Sequence, residues 1–422
     1  MSAQLKRSRW TFVLAATLLV SGTLAAAAAP TKGKPELSSE AVAKLAQSGN
    51  AFGFDLYQRL RQKPGNLVIS PASVTTALTM AWGGAQGATA VQMRKALHLE
   101  GSASEIMATS GQLARTLQDP SRPIVFRIAN QLFAEQTYKL EPSYVNRTRK
   151  AFGAPVELVD LKKAPEKARV HINEWVEGKT EHRIKDLVPP GGVGPDSRLV
   201  LVNAIYFLGD WAAPFERELT HPAPFFLTAS QKKNVPTMHQ VNHLAVAQRD
   251  GVTAVELPYM GREMSMMLIL PDEIGGLAAV ESSLDSKKVA ALANTMNGEW
   301  VSLSLPKFEV NPSGSLALGV DLKALGMPNA FDRKVANFDG IANPPNRDDR
   351  LSLDEVFHKA FVRVDEKGTE AAAASAGGLL GGQGPPPSPR QIKLNHPFLF
   401  LIRDNASGLV LFLGRVSDPS RH

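Results

Sequence analysis

The order in which helical and strand-like patterns follow one another limits this chain to few folds. Helical spacing dominates up to about residue 190, and strand-like segments punctuated by proline and glycine dominate from residue 198 onward. The predicted helices cover residues 38–62 (a helix pair or one broken helix), 73–82, 88–97, 168–188 and 316–325. The predicted strands cover residues 66–71, 124–133, 199–207, 252–257, 264–270, 301–305, 308–310, 356–364, 398–403 and 408–416. No repeat period is visible, so the pattern predicts an α+β architecture rather than alternating units.

A low-complexity segment interrupts the last predicted strands. Residues 369–389 are almost entirely Ala, Gly, Leu, Pro and Ser, which is ordinarily the composition of a linker. Only about one hairpin's worth of chain follows, which is too little for a second domain. The segment is therefore predicted to be a long exposed loop between two strands of one domain, and such loops usually carry function.

The first 29 residues have the pattern of a secretory signal peptide. Lys6, Arg7 and Arg9 precede an apolar run at residues 11–20 and a small-residue run at residues 25–29. A membrane anchor is the alternative, but the uncharged stretch is padded with Ala, Gly, Ser and Thr. We expect a signal peptide at residues 1–28, a polar linker at 29–40 and one domain at 41–419, in a protein secreted to the extracellular space or a periplasm.

Charge and cysteine content exclude several kinds of site. The formal charge of +7 falls by three, to +4, when the basic residues of the predicted signal peptide leave. The mature chain is then only mildly basic, and neither a nucleic-acid partner nor membrane attachment is predicted. An exported protein can use disulfides, yet this chain contains no cysteine, which excludes thiol nucleophiles and Cys-based zinc sites.

Seven blocks of sequence match one known family in the same order. They are residues 66–85 (NLVISPASVTTALTMAWGGA), 172–188 (INEWVEGKTEHRIKDLV), 201–215 (LVNAIYFLGDWAAPF), 266–271 (MMLILP), 303–310 (LSLPKFEV), 356–375 (VFHKAFVRVDEKGTEAAAAS) and 396–416 (HPFLFLIRDNASGLVLFLGRV). They resemble serpins of the inhibitory type, and residues 356–375 resemble the strand and hinge before the serpin reactive loop. The blocks span nearly the whole predicted mature chain, which makes the resemblance far more specific than a single short motif.

The resemblance implies a fold and an activity. Serpins are single α+β domains with a central five-stranded sheet, additional sheets, about eight or nine helices and an exposed reactive loop, here at about residues 366–392. In inhibitory members the uncleaved form is metastable. A target serine protease cleaves the loop, and the loop inserts into the central sheet as an extra strand before the acyl-enzyme is hydrolysed. The implied activity is therefore serine-type endopeptidase inhibition, and the chain is not predicted to be an enzyme.

The residues of the loop suit insertion as a strand. Alternation would place Thr369, Ala371, Ala373, Ser375, Gly377 and Leu379 on one face and Glu370, Ala372, Ala374, Ala376 and Gly378 on the other. Small side chains lower the steric cost of opening a closed sheet. Insertion must end before residues 385–387, because prolines lack the N–H donors of a central strand. About 15 inserted residues would move the cleaved end by about 50 Å.

The scissile bond is predicted within the Gly/Leu-rich part of the loop. The usual serpin loop length, counted from Gly368, gives Gly382-Gln383, but glycine offers a protease pocket no side chain. The candidates in order of preference are Leu380, Gly382, Gln383 and Leu379. Arg390 lies beyond the proline block, so we expect a chymotrypsin-, elastase- or subtilisin-like target rather than a trypsin-like one.

The resemblance also assigns supporting residues. The hinge would comprise Glu366, Gly368, Thr369, Glu370, Ala371, Ala372, Ala373, Ala374 and Ser375. A polar cluster that holds the sheet closed yet releases it would comprise Ser70, Ser73, Asn203 and His358. The residues at the sheet top, where the loop first enters, would be Trp211, Glu366 and Lys307.

Alternative functions differ in how much support the sequence gives them. A serine hydrolase is disfavoured because no G-x-S-x-G occurs and the S-x-x-K at residues 230–233 lacks its companion motifs. No H-E-x-x-H metal motif or phosphate loop is present, and no cofactor or metal is predicted. A non-inhibitory serpin acting as substrate, carrier or chaperone is the main alternative, since the loop is about four residues longer than common serpin loops. A polyanion site at Lys162, Lys163, Lys167 and Arg169 is a weak hypothesis, and a monomer is expected.

Overall fold

Within the described residues, helices predominate in the first half of the chain and strands in the second, as the sequence predicts. The computed structural model describes residues 39–153, 156–369 and 388–421, and these lie in one compact unit, residues 37–422. The helices within those ranges are α1 (Ser39–Leu60), α2 (Pro71–Trp82), α3 (Gly87–Ala96), α4 (Ala103–Leu117), α5 (Pro142–Phe152), α6 (Pro165–Lys179), α7 (Leu277–Ser283), α8 (Ser286–Asn294) and α9 (Gly319–Ala324). The strands are β1 (Leu67–Ile69), β2 (Ile124–Glu135), β3 (Glu157–Val159), β4 (Leu199–Asp210), β5 (His221–Phe226), β6 (Lys232–Arg249), β7 (Val252–Pro258), β8 (Met264–Pro271), β9 (Asn297–Pro306), β10 (Phe308–Val310), β11 (Leu316–Ala317), β12 (Leu353–Val364), β13 (Gly368–Thr369), β14 (Arg390–Lys393), β15 (Phe398–Asp404) and β16 (Val410–Val416).

The central sheet has the predicted five strands, in the order β10-β12-β4-β2-β3. Two short strands of two residues each join it, β11 on β12 and β13 on β4. Its centre is the parallel pair β4 and β12, which are far apart in sequence and directly adjacent in space. The expected α+β fold with a five-stranded central sheet is therefore confirmed.

The remaining nine strands form one sheet rather than several. Its path is β1-β16-β15-β8-β7-β6-β9-β14, with β5 attached to β6. The 18-residue strand β6 makes this continuity possible, because its last residues pair with β7 while most of its length pairs with β9. The chain that follows the predicted loop therefore lies in this second sheet, with β14 at one end and β15 and β16 in the interior.

The two faces of β4 belong to different apolar cores. Leu201 and Ile205 face the main core, which also contains side chains from α1, α2 and the second sheet. Val202 and Ala204 face a smaller core under α6. This alternation is what a strand buried on both faces requires.

Two predicted helices differ from the structure in extent. The helix pair or broken helix predicted at residues 38–62 is one continuous helix, α1 (Ser39–Leu60), although Gly49 and Gly53 lie inside it. A Cβ atom at Gly53 would lie 2.3 Å from Cβ of Pro71, so this glycine lets α1 approach α2 closely. The predicted helix at 168–188 ends at Lys179, because the backbone at His182 has φ of 61°, which a helix cannot contain.

The helix predicted at residues 316–325 is also shorter. Leu316 and Ala317 instead pair with β12, and α9 starts only at Gly319. The first two residues of that pattern therefore extend the edge of the central sheet. Helical periodicity over a short apolar run does not distinguish these two states.

Candidate functional site

The two central strands run side by side and then part. β4 and β12 stay in parallel register up to the pair Tyr206 and Phe361. Beyond this point the last three residues of β12 pair with β10, and the upper end of β4 pairs with β13. Because β2 covers the other edge of β4 at Gly209, β13 lies on the side that faces β12. The sheet top, meaning the end at Asp210, is thus open and holds a two-residue strand.

β13 fits this opening through a small residue and a buried hydroxyl. Gly368 and Thr369 are antiparallel to Asp210 and Gly209. A Cβ atom at Gly368 would lie 2.0 Å from the carbonyl oxygen of Gly209, so only glycine permits this approach of two backbones. Thr369 is 1% exposed, and its hydroxyl lies 2.7 Å from the hydroxyl of Tyr259.

Trp211 anchors the turn that leads into β13. Its backbone N–H donates to the carbonyl of Lys367 at 2.8 Å, and its indole Nε1–H donates to the carbonyl of Asp365 at 3.0 Å. The indole stacks on Tyr259 with ring centroids 4.7 Å apart. Trp211 and Thr369 therefore contact the same aromatic ring, and the two predicted positions are brought together.

Glu366 and Lys307, also predicted at the sheet top, form an ion pair. The Lys307 ammonium lies 2.9 Å from Oε2 of Glu366, and the hydroxyl of Thr220 donates to Oε1 at 2.9 Å. Burial raises the pKa of Glu366, but the hydrogen bonds from Lys307 and Thr220 outweigh burial and the net pKa is lowered. The carboxylate is ionised at neutral pH and ties the turn to the strand pair β9 and β10.

The predicted polar cluster of Ser70, Ser73, Asn203 and His358 lies where β4 and β12 are still paired. All four residues are fully buried, and Asn203 and His358 are register partners. The N–H of Ser70 donates to Nε2 of His358 at 3.1 Å, so this nitrogen must be the acceptor. Nδ1 therefore carries the proton and donates to Oδ1 of Asn203. Burial lowers the pKa of His358 to about 3, which keeps the ring neutral.

The cluster links the sheet to the start of α2. The side chain of Ser70 caps α2 by accepting from the N–H of Ser73 at 3.2 Å. The amide of Asn203 donates to Oγ of Ser73 at 2.5 Å and to Oδ1 of Asn130. A chain of hydrogen bonds thus crosses β2, β4 and β12 and ends on the helix.

The sequence analysis did not assign Asn130 to this cluster. It is the register partner of Asn203 on β2, and its amide also donates to the carbonyl of Ser73 at 3.2 Å. The side chain of Asn130 is half-buried. The available signal was the register itself, since a strand antiparallel to β4 would bring some residue of β2 opposite Asn203.

Other predicted positions lie outside the described residues. These are the hinge residues Glu370, Ala371, Ala372, Ala373, Ala374 and Ser375 and the scissile candidates Leu379, Leu380, Gly382 and Gln383. The predicted signal peptide, residues 1–28, is also outside them. Arg390, just after the proline block, is held in β14, where its guanidinium lies 3.3 Å from Glu299 and 2.6 Å from Gln248.

The basic residues at the start of α6 are partly engaged. Nε of Arg169 donates to Glu166 at 2.9 Å and its Nη1 donates to the carbonyl of Val188 at 3.1 Å. The Lys162 ammonium lies 5.7 Å from the centre of the Tyr138 ring. These contacts favour a structural role for both residues over polyanion binding.

Neither a metal-binding cluster nor a membrane-spanning helix occurs in the described ranges. No group of three or more His, Asp or Glu side chains there is arranged to hold a metal ion. No helix in residues 39–153, 156–369 and 388–421 is long and apolar enough to cross a membrane.

Comparison with known proteins places these features in one group. The family model described as serpin (serine protease inhibitor) matches residues 47–419. The leukocyte elastase inhibitor of Equus caballus is 37% identical over 386 residues, covering 89% of this chain and 100% of the relative.

Solved structures give the same grouping. Human thyroxine-binding globulin has a TM-score of 0.80 and 26% identity, with 90% of this chain and 100% of that chain covered. Serpin48 of the insect Tenebrio molitor, described as a highly specific serpin, has a TM-score of 0.79 and 28% identity, with 89% and 98% covered.

Proposed function

The chain belongs to the serpin family, and we propose that it inhibits a serine protease by suicide-substrate trapping. In this proposal the protease cleaves the reactive loop, an acyl-enzyme forms, and the loop inserts between β4 and β12. The observation that carries the proposal is β13, a two-residue strand paired with β4 on the side that faces β12. It has the position that the first residues of an inserted loop would take.

Continuing the register of β13 gives the course of the inserted strand. Gly368 opposes Asp210 and Thr369 opposes Gly209, so each further residue would oppose the preceding residue of β4. Leu379 would then oppose Leu199, the first residue of β4. The strand would contain 12 residues, matching the length of β4, and would span about 40 Å. This is shorter than the 15 residues expected from the proline block alone.

The same register assigns the faces of the inserted residues. Thr369 faces the main core, as its contact with Tyr259 requires. Ser375 would lie opposite Asn203 and share its face, since opposed residues in a sheet point the same way. Insertion would separate Asn203 from His358 by one strand, and the Ser375 hydroxyl would offer Asn203 a replacement partner. The polar cluster is therefore proposed to exchange hydrogen bonds rather than lose them.

An elastase-, chymotrypsin- or subtilisin-like target is favoured over a trypsin-like one. Leu380 is one residue beyond the proposed end of the inserted strand and remains the preferred scissile position, with Gly382, Gln383 and Leu379 behind it. Arg390 is the first basic residue after Thr369 and is paired with Glu299 in β14, which disfavours its use as a cleavage site. The similarity to an elastase inhibitor supports the same choice.

One experiment tests the proposal. The mature protein is mixed with elastase, chymotrypsin, subtilisin and trypsin, and the products are separated on denaturing gels. A covalent SDS-stable complex is expected with one of the first three, and the first residue of the C-terminal fragment gives the cut. Complete cleavage with fully active protease and no complex would overturn the trapping mechanism.

Complete cleavage without a covalent complex would favour a non-inhibitory serpin acting as substrate, carrier or chaperone. The specific feature in favour of this alternative is the loop, about four residues longer than common serpin loops, because a longer tether slows translocation. Human thyroxine-binding globulin, which is similar to this chain, was solved as a complex with a small ligand. A shared fold does not by itself imply a shared function.

We further propose that the protein is secreted as a monomer after cleavage near residue 28. The charge, apolar and small-residue runs of residues 1–29 support this. N-terminal sequencing of the exported protein is expected to begin between residues 28 and 30, whereas a retained N-terminal Met1 would contradict it. The polyanion hypothesis for residues 162–169 stays a prediction, to be tested by retention on immobilised heparin.

A further inference from the structure

A cleft on the second sheet carries positive charge that no described acidic group neutralises. It lies between β5, β6, β9 and the end of β14 and has a volume of about 300 Å³, at the lower end of the range for small-molecule sites. Its polar lining includes His221, His239, Ser304 and Lys393, and its apolar lining includes Phe225 and Leu394. None of its lining residues is Asp or Glu.

The polar residues stand in a row across three neighbouring strands. His239 on β6 opposes Ser304 on β9, and Ser304 opposes Lys393 on β14. Opposed residues share one face of a sheet, so the three side chains point into the cleft. Ser304 Oγ lies 3.0 Å from Nδ1 of His239, which fixes the orientation of the imidazole.

Two groups in this row lack partners. The exposed Lys393 ammonium makes no ion pair or hydrogen bond within the described residues. Nε2 of His239 is buried and has no hydrogen-bond partner there, and such atoms are rare because leaving them unpaired is costly. The exposed ring of His221 stacks on the face of the His239 imidazole, with ring centroids 4.3 Å apart and nearly parallel planes.

The electrostatics favour an anion. Burial lowers the pKa of His239, and the nearby His221 and Lys393 lower it further. A negative group in the cleft would offset this repulsion and accept a hydrogen bond from Lys393. The apolar part of the same ligand would then lie against Phe225, Val235 and Leu394. A purely inorganic anion would leave that apolar wall uncovered.

We infer that this cleft binds a small organic carboxylate with an apolar body. None of the lining residues belongs to the described hinge residues or to the polar cluster, and the inference does not depend on protease inhibition. Its ligand would bridge β5 and the end of β14, two elements that are otherwise joined by one hydrogen bond from the N–H of Phe226 to the carbonyl of Asn395 at 2.7 Å.

Calorimetric titration of the full chain with sodium octanoate tests the inference. Octanoate is expected to bind and to raise the thermal unfolding midpoint, whereas octanamide, equal in shape but uncharged, is expected to bind at least tenfold more weakly, roughly the factor of one charge-assisted hydrogen bond. Lys393→Gln should weaken octanoate by a similar factor of about ten. The exposed Lys287→Gln on α8 is the matched control and should leave the affinity unchanged.

Three results would overturn the inference. Octanoate producing neither heat nor a midpoint shift would show that the cleft is not a carboxylate site. Equal binding of octanamide would show that only apolar contact matters. Equal affinities of the Lys393→Gln and Lys287→Gln proteins would place the bound octanoate elsewhere. None of these assays contains a protease, so their failure would leave the trapping proposal untouched.

Discussion

The lower and upper parts of the same strand pair differ in what lies between them. From Leu199 to Tyr206, β4 is bonded directly to β12, and the polar cluster fastens that stretch to α2 through the Asn203 amide. From Gly209 to Asp210, β4 is bonded instead to β13. β4 therefore has a closed segment, Leu199 to Tyr206, which is paired with β12, and an open segment, Gly209 to Asp210, which is paired with β13.

This difference indicates where opening of the sheet would start and what would resist it. At the top, backbone hydrogen bonds to β12 are already replaced by bonds to Gly368 and Thr369. Farther down, each step must break a backbone bond, and at Asn203 it must also break a buried side-chain bond to His358. Insertion is therefore expected to be controlled by the cluster once the top is occupied.

A charge placed in the open segment should have the largest effect. Thr369→Arg would bury an unpaired cation beside Tyr259, which costs several kcal/mol. We expect the yield of SDS-stable complex to fall at least tenfold, since about 1.4 kcal/mol is a factor of ten, with cleaved inhibitor in its place. Thr369→Val, which keeps the shape, is the control and should still form complex. Unchanged complex with the arginine variant would mean that this opening is not the insertion route.

Breaking the closed segment should mainly destabilise the uncleaved protein. Asn203→Leu leaves the buried Nδ1–H of His358 without its acceptor and removes the amide that donates to Ser73 and Asn130. We therefore expect a loss of about 3 kcal/mol in the free energy of unfolding. Denaturant titration measures it. The exposed Asn234→Leu on β6 should change the same quantity by less than about 0.5 kcal/mol. Similar losses in the two variants would show that the cluster does not hold the sheet closed.

Acidification should weaken the closed segment through His358. The unfolded chain binds a proton below about pH 6.5, while the folded chain resists it until about pH 3, so stability falls as the pH drops between these values. This group would contribute up to about 1.4 kcal/mol per pH unit. Unfolding of the parent and of His358→Gln between pH 7 and pH 5 measures the contribution as the difference in slope. Equal slopes, with exposed His182→Gln as reference, would contradict it.

The smallest effect is expected at the ion pair of the open segment. Glu366→Gln keeps a hydrogen bond to Lys307 but removes the charge, and we expect a loss of about 1 kcal/mol at neutral pH. Because the pKa of Glu366 is lowered from its ordinary 4.5, this stabilisation is present above that value and is lost as the pH falls through the lowered one. The difference between parent and variant should therefore shrink in acid. A constant difference down to strongly acidic pH would exclude a role for the charge.

Most of the fold could be predicted from local pattern, and the failures have physical causes. Leu199 to Phe207 was predicted as a strand because it is apolar on both faces. α4 was not predicted, although Ser102 and Glu105 form a capping box that marks its start. β6 was not predicted because Pro236 and several polar residues interrupt its pattern, and its pairing with β5, β7 and β9 makes it a strand.

The candidate site was predicted through family resemblance rather than from pattern. Alone, Asn203 is a polar residue in an apolar strand, and nothing local brings it to His358, which is 155 positions away. The resemblance did not identify Asn130, because none of the seven matching blocks contains this residue. The resemblance implied that the loop enters at the sheet top, but the two-residue strand β13 was not predicted, because it depends on where two distant strands stop pairing.

The position of β15 and β16 gives the proposed cleavage an unusual product. Both strands lie in the interior of the second sheet, and Arg415 on β16 donates to the carbonyl of Gly65 at 2.8 Å and is paired with Glu281 at 3.1 Å. A cut in the loop would therefore nick the polypeptide without dividing the particle, whose native mass would stay the same. After denaturation, however, the two fragments would have to associate in solution before they could refold. The rate of renaturation of the nicked protein would therefore depend on its concentration.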